Sequence, residues 1–93
     1  MDIRFYIDPK TDLPHIYNHS ISEDKVEDIL RTPGEDRPGR DNPRVAIGQT
    51  QTDRYLKVIY VPDPGLHSLF VITAYELIGK PLTAYRRRKR KKS

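Results

Sequence analysis

The sequence predicts an α+β domain in which short helices pack on one face of a small antiparallel sheet. A strand pattern comes first, two short helical segments follow, and three strand patterns joined by tight turns complete the ordered part. Strands with short connections pair antiparallel, so the last three form a meander. The chain of 93 residues suffices for one domain, which we place at residues 1–85, followed by a basic tail at 86–93.

The first strand and the first helical turn are separated by a proline-containing break. Apolar and polar residues alternate over residues 3–7, which predicts a strand with one buried face. Asp12 can cap a short helical turn that tolerates Pro14 near its start. In that turn His15 and His19 are four residues apart and share one side.

The second helix has clearer start signals. Ser22 is a suitable N-cap, and the acids at 23–24 suit the positive end of the helix dipole. Val26, Ile29 and Leu30 form its inward stripe, before a Thr-Pro-Gly sequence that ends the helix.

The rest of the chain alternates loops and strands. Residues 33–43 contain three prolines and two glycines, which predicts a long loop. Strands are predicted at 44–49, 54–61 and 69–75. The segment 82–87 could wind into a last helical turn before the tail begins.

Alternation along the strands sorts the side chains onto two faces. We expect the helix-covered face to hold Phe70, Ile72, Ala74, Leu56, Val58, Tyr60, Val45 and Ile47. The open face then gathers Arg44, Tyr55, Lys57, Thr73 and Tyr75, with Arg54 at its rim. Because cations hold phosphates and aromatic rings stack on bases, this face predicts an RNA-binding platform.

The basic residues are concentrated at the C-terminal end. Residues 86–92 are seven consecutive cations, including Arg86, Arg87 and Arg88. The body at 1–85 holds ten of the 17 Lys and Arg and all 13 Asp and Glu, so its net charge is −3. Such a terminal run is typically disordered and suits a polyanionic partner, either a nucleic acid or an acidic protein.

Several kinds of site and location are disfavoured. The chain has no cysteine, no Gly-rich phosphate loop and no apolar run long enough for a bilayer, so we expect no cofactor and a cytoplasmic location without membrane contact. His15 and His19 lack the intervening Glu and the third ligand of a zinc site, so we predict no metal. The two histidines remain candidates for acid–base chemistry or for purely structural roles.

Several short motifs together resemble the BrnT-like toxins, a small bacterial family, and their relatives of unassigned function. The motifs are His15, His19-Ser20-Ile21-Ser22, Val26-Glu27-Asp28-Ile29-Leu30, Pro33, Arg44 with Gly48, Arg54-Tyr55-Leu56-Lys57-Val58 and Ile72-Thr73-Ala74-Tyr75. The similarity covers about residues 13–76.

The resemblance implies a RelE-like fold and a metal-independent ribonuclease toxin paired with a protein antitoxin that covers its basic surface. Carried over by position, the implied catalytic residues are His15, His19, Lys57 and Tyr75. The expected RNA-binding residues come from three sources. Arg44 and Arg54 are implied by the resemblance, Tyr55 belongs to the open face of the sheet, and Arg86, Arg87 and Arg88 belong to the basic tail.

We therefore expect a ribonuclease that cleaves RNA by general acid–base chemistry. The ribosome is one candidate site of its action. Two alternatives remain open from the sequence. One is a non-catalytic RNA- or ribosome-binding module that uses the same face and tail. The other is a small subunit of a larger assembly whose basic tail docks on an acidic partner.

Overall fold

Residues 2–91 are described by a computed structural model and form a mixed five-stranded sheet, a small strand pair and two α-helices. The helices are α1 (Glu23–Arg31) and α2 (Gly79–Lys91), with 3₁₀ helices at His15–His19 and Pro64–Leu66. The strands are β1 (Asp2–Phe5), β2 (Ile7–Asp8), β3 (Leu13–Pro14), β4 (Glu35–Pro38), β5 (Arg44–Gln49), β6 (Tyr55–Asp63) and β7 (Ser68–Glu76). The predicted α+β class is confirmed.

The large sheet has the strand order β1-β7-β6-β5-β4. The predicted meander of β5, β6 and β7 is confirmed, since these strands pair antiparallel in series. The expectation of a wholly antiparallel sheet is wrong, because β1 pairs parallel with residues 68–71 of β7. The reason is topological: no tight turn joins the first strand to the last, so nothing forces them to run in opposite directions.

Helix α1 and the first 3₁₀ helix cover one face of the sheet, called here the α1 face. Ser22 occupies the N-cap and Glu23 and Asp24 lie in the first turn, as the sequence predicts. The core on this face consists of Ile16, Ile21, Val26, Ile29, Ala46, Leu56, Val58, Tyr60, Val71 and Ala74. This core fixes α1 and the first 3₁₀ helix against the middle strands.

Helix α2 covers part of the opposite face, called here the α2 face. Tyr85 is 3% exposed and packs with Ile47 and Leu77, with Leu82 beside them. The expectation that all helices lie on one face is therefore wrong. Among residues 2–91 no helix has both the length and the apolar character needed to cross a bilayer.

The basic segment is part of α2. The expected disorder is wrong for residues 86–91, which are helical, and the expected division after residue 85 falls inside this helix. Apolar contacts of Leu82 and Tyr85 anchor the helix to the sheet, so the cations that follow continue an established helix. The rest of the expected tail, residues 92 and 93, lies outside the described part of the chain.

The side chains of strand β5 point to the opposite faces of the sheet from those expected. Ala46 pairs with Val58 and lies in the core of the α1 face, whereas Val45 and Ile47 lie on the α2 face. Arg44 pairs with Tyr60 and therefore faces the α1 side, not the platform. Each set of β5 residues contains side chains that can be buried, Ala46 in one and Val45 and Ile47 in the other, so only the pairing register decides which set faces α1.

A β-bulge in β7 changes the faces of this strand. Ile59 pairs with Thr73 and Tyr60 with Val71, which leaves Ile72 as the extra residue. Val71 and Ala74 are consequently buried in the same core. The expectation for Ala74 is confirmed, whereas Phe70 and Ile72 are half-buried and do not belong to that core.

Two short elements replace predicted loops and turns. Within the expected loop at 33–43, β4 forms an edge strand paired with β5. Near the N-terminus, Asp12 has a left-handed φ of 60° and caps no helix, and Pro14 belongs to β3. The pairing of β2 with β3 delays the helical turn until His15.

Candidate functional site

The C-terminal half of β7 borders the first 3₁₀ helix. Strand β1 pairs only with residues 68–71 of β7, and the amide of Tyr6 then donates to the carbonyl of Val71 at 2.8 Å. Beyond that point the 3₁₀ helix His15–His19 packs against β7. Side chains of the 3₁₀ helix and of the end of β7 therefore meet at this edge of the sheet.

The 3₁₀ helix presents its two histidines together. Ile16 is 1% exposed and anchors the helix in the core of the α1 face. His15 is half-buried and His19 is exposed, and their ring centroids are 5.5 Å apart in an edge-to-face arrangement. The helix ends at Ser20, which has a left-handed φ of 58°.

Tyr75 joins these histidines to the α2 face of the sheet. Its ring centroid is 6.2 Å from that of His19. Lys57 is the cross-strand partner of Tyr75, and its Nζ lies 5.7 Å from the tyrosine ring centroid. The four residues that the resemblance implies as catalytic thus form a continuous row, His15–His19–Tyr75–Lys57, which we call the edge cluster.

Asp8 is a member of this site that the sequence analysis missed. Its Oδ2 lies 3.4 Å from Nδ1 of His15 and accepts a hydrogen bond of 2.8 Å from the amide of Asn18. The backbone N–H of Lys10 donates to Oδ1, and this bond, together with those from Asn18 and His15, lowers the pKa of Asp8. Asp8 therefore remains a carboxylate that can orient the His15 ring.

The strand pair β2–β3 brings Asp8 to His15. Ile7 pairs with Pro14 and Asp8 with Leu13, so the chain folds back over the intervening turn. The sequence analysis treated Asp8 only as part of a strand break. The spacing of Asp8 and His15 on either side of a turn was the available signal.

Arg54, expected to bind RNA, is already engaged within the protein. Its guanidinium donates to the carbonyl oxygen of Ser20 at 3.3 Å and to Oε1 of Glu76 at 3.1 Å. These contacts tie the end of the histidine-bearing helix to the end of β7. Arg54 therefore holds together the two elements that carry His19 and Tyr75.

Arg44 is separated from the edge cluster. The expectation that it shares a face with Lys57 and Tyr75 is wrong, for the register reason given above. Its Nε donates to Oδ1 of Asp36 at 3.1 Å. The hydroxyl of Tyr60 and the carboxylate of Asp36 raise the pKa of Arg44.

The other expected RNA-binding residues lie on or beside α2. Arg86 stacks on Tyr55, with the guanidinium carbon 4.9 Å from the ring centroid. Arg88 makes a bidentate pair with Glu35, at 2.8 and 3.0 Å. Arg87 is exposed to solvent. Within residues 86–88, one cation thus covers an aromatic ring, one binds a carboxylate and one faces solvent.

The edge cluster combines groups with complementary chemistry. Imidazole exchanges protons near neutral pH, a phenol can donate a proton, and an ammonium group stabilises negative charge. Over residues 2–91 no three His, Cys, Asp or Glu side chains come together in a metal-binding arrangement. What the cluster can supply from its own side chains is proton transfer and charge stabilisation at an anionic substrate.

Comparisons with family models, with curated proteins and with solved structures found no significant match to the chain.

Proposed function

We propose that the chain is an RNA-binding ribonuclease that cleaves single-stranded RNA at the edge cluster, of the kind that acts as the toxin of a toxin–antitoxin pair. One observation carries the proposal: His19 and Tyr75 bring two proton-transfer groups within 6.2 Å, centroid to centroid, beside the cation of Lys57. RNA contains its own nucleophile, so a protein that positions the phosphate and moves two protons can cleave it.

The proposed reaction is an internal transfer of the phosphoryl group. The 2′-oxygen attacks the neighbouring phosphorus, the bond from phosphorus to the 5′-oxygen breaks, and a 2′,3′-cyclic phosphate and a 5′-hydroxyl are formed. A base must take the proton of the 2′-hydroxyl, and an acid must give one to the departing 5′-oxygen.

The side chains divide these tasks by position. His19, exposed at the centre of the row, takes the 2′-hydroxyl proton, and the Tyr75 hydroxyl protonates the leaving oxygen. Lys57, beside Tyr75, stabilises the charge that develops on the phosphoryl oxygens. His15, held by Asp8, orients His19 through their edge-to-face contact.

The proposal includes a protein antitoxin that covers the edge cluster. Apart from the resemblance, what supports such a partner is apolar surface close to Lys57 on the α2 face. Val45 and Ile59 pair across β5 and β6 and are only half-buried. A partner that covered these residues would also reach Lys57, two residues from Ile59 on β6.

The test is cleavage of a labelled single-stranded RNA by purified protein, with and without chelator. We expect products that carry 2′,3′-cyclic phosphate in both conditions and none from the 2′-deoxy substrate. His19→Ala should lower the rate by about 100-fold or more, the size of a lost acid–base group. Lys57→Gln should lower it by about 100-fold, the size of a lost charge stabiliser.

The chain offers matched controls for both variants. His67→Asn changes an exposed histidine in a left-handed position that Asn tolerates, and Lys80→Gln removes an exposed lysine charge. Both should cleave at the wild-type rate. Equal activity of His19→Ala and the wild type, or growth arrest on expression that His19→Ala does not relieve, would contradict the proposal.

The second candidate is an RNA-binding module without catalysis. The observation that favours it is the stacking of Arg86, from the basic helix, on Tyr55 of β6, because a cation and an aromatic ring at the surface can bind nucleic acid without any chemistry. Salt-sensitive RNA binding by a protein that leaves the RNA intact would select this candidate.

A further inference from the structure

A cavity opens between α2 and the end of the sheet, and none of the four residues of the edge cluster lines it. Its volume is about 650 Å³, within the range of pockets that bind small molecules. Gly34 and Gln49 line it from the sheet side, and Arg86, Lys89 and Arg90 line it from the helix.

We call this cavity the α2 pocket. One of its walls is aromatic. The Tyr55 ring lies under the guanidinium of Arg86 at 4.9 Å and meets the ring of Tyr85 edge-on, with centroids 6.1 Å apart. Tyr85 is buried, so it fixes the position of Tyr55 from below. A flat guanidinium over a fixed ring is a surface on which a nucleobase can stack.

The helix side of the α2 pocket is positively charged. Arg86, Lys89 and Arg90 project there, and the lining contains no carboxylate among the residues described. Lys89 reaches across the opening, with Nζ 3.5 Å from the carbonyl oxygen of Gly34. An anion that entered would replace that long, weak contact with a shorter ion pair.

We propose that the α2 pocket binds a nucleoside phosphate, with the base stacked on the Tyr55–Arg86 pair and the phosphate held by Lys89. The ring wall and the cationic wall meet in one cavity, and a nucleotide is the common biological ligand that is both flat and anionic. The nucleotide is either free or one unit of a single-stranded RNA.

The inference does not require that the protein cleaves RNA. Tyr55 and Lys57 lie two residues apart on the same face of β6, about 7 Å along the strand. An RNA strand that occupies both places has a nucleotide in the α2 pocket next to the phosphate at the edge cluster. A free nucleotide occupies the α2 pocket alone.

The experiment measures binding of a 2′-O-methyl oligonucleotide, which cannot undergo attack by its 2′-oxygen, and separately of adenosine monophosphate. The variants are Arg86→Gln and Tyr55→Leu, and the matched control is Arg87→Gln, which removes the same charge one residue away on the exposed side of α2. Tyr55→Phe keeps the ring. Thermal unfolding of each variant checks that the fold is retained.

We expect Arg86→Gln and Tyr55→Leu to weaken oligonucleotide binding roughly tenfold, the size of one lost stacking contact, with a much smaller loss for Arg87→Gln and Tyr55→Phe. Binding of adenosine monophosphate with the same dependence identifies free nucleotide as a ligand, and binding of the oligonucleotide alone identifies RNA. Equal losses of affinity in Arg86→Gln and Arg87→Gln overturn the inference, because they would show that binding depends only on the net charge of the helix. A protein that binds in this manner and cleaves nothing leaves the inference intact and removes the ribonuclease proposal.

Discussion

A Cβ atom on Gly34 would lie 2.0 Å from the hydroxyl oxygen of Tyr85. Gly34 is therefore the position that lets the Tyr85 ring pass between α2 and the sheet. The amide of Gly34 also donates to the carbonyl of Ile47 at 2.9 Å, so the backbone there has little freedom to move away. The packing of α2 against the sheet depends on this close approach of Tyr85 to Gly34.

Gly34→Ala should destabilise the fold by about 1–3 kcal/mol, the usual cost of overpacking a core, because the methyl group displaces Tyr85. Denaturant unfolding measures the change. Gly65→Ala is the matched control, since its Cβ would be no closer than 3.5 Å to any neighbour.

A double-mutant cycle locates the clash. Tyr85→Phe removes the closest atom and leaves the ring carbon at 3.2 Å as the nearest contact. Gly34→Ala should therefore cost less in the Tyr85→Phe background than in the wild type. An equal cost in both backgrounds would mean that the methyl group disturbs something other than this hydroxyl.

Arg54→Lys should impair cleavage while leaving RNA affinity near that of the wild type. Lysine keeps the charge but cannot reproduce a guanidinium that bonds Ser20 and Glu76 at once. Turnover and affinity, measured separately, check this. If Arg54 instead served as a phosphate contact, Arg54→Gln would weaken binding and Arg54→Lys would preserve it.

Asp8 should contribute to stability in a defined pH window. Its pKa is lowered from the usual 3.8 chiefly by the backbone N–H of Lys10 and then by Asn18. A lowered pKa means that the unfolded chain binds more protons in acid, so this contribution is complete above about pH 4 and is lost as the pH falls through the folded-state pKa.

Asp8→Asn should therefore flatten the dependence of the unfolding free energy on pH below about pH 4. Denaturant unfolding at a series of pH values gives this slope. Asn18→Ala, which removes one donor to the carboxylate, should change the slope in the same direction by a smaller amount. A variant curve that keeps the full wild-type slope would exclude Asp8 as its source.

Arg88→Gln should lower stability by about 1 kcal/mol, and less at high salt, because the partly exposed pair with Glu35 is screened by solvent. Arg87→Gln should lie within about 0.5 kcal/mol of the wild type, as for most exposed substitutions. Thermal unfolding at two salt concentrations compares them. Equal effects would show that neither cation is specifically paired.

Local patterns sufficed to predict α1 and the three strands of the meander, because each has strong periodicity and clear ends. Strand β4 was missed because Glu35–Pro38 consists of three charged residues and a proline and pairs at an edge of the sheet. Only one helical turn, at 82–87, was expected where α2 spans Gly79–Lys91, because the cations obscured a weak signal, Leu82 and Tyr85 three residues apart.

Sequence reasoning named the four residues of the edge cluster, but it missed Asp8 and did not predict how these side chains are arranged. His15 and His19 share a helix, and Lys57 and Tyr75 face each other across two strands, but the contact of His19 with Tyr75 depends on where β1 stops pairing. Arg44 illustrates the limit of alternation. Without the β5–β6 register, no property of its neighbours assigns it to a face.

The parallel pairing of Asp2 with Ser68 has a consequence for how the protein assembles after synthesis. Ser68 leaves the ribosome some 66 residues after Asp2, so β1 is made well before the strand it pairs with. Closing so long a loop is costly in entropy, so the outermost strand joins last. Until it does, the newly made chain carries an unprotected sheet border that invites association with other chains.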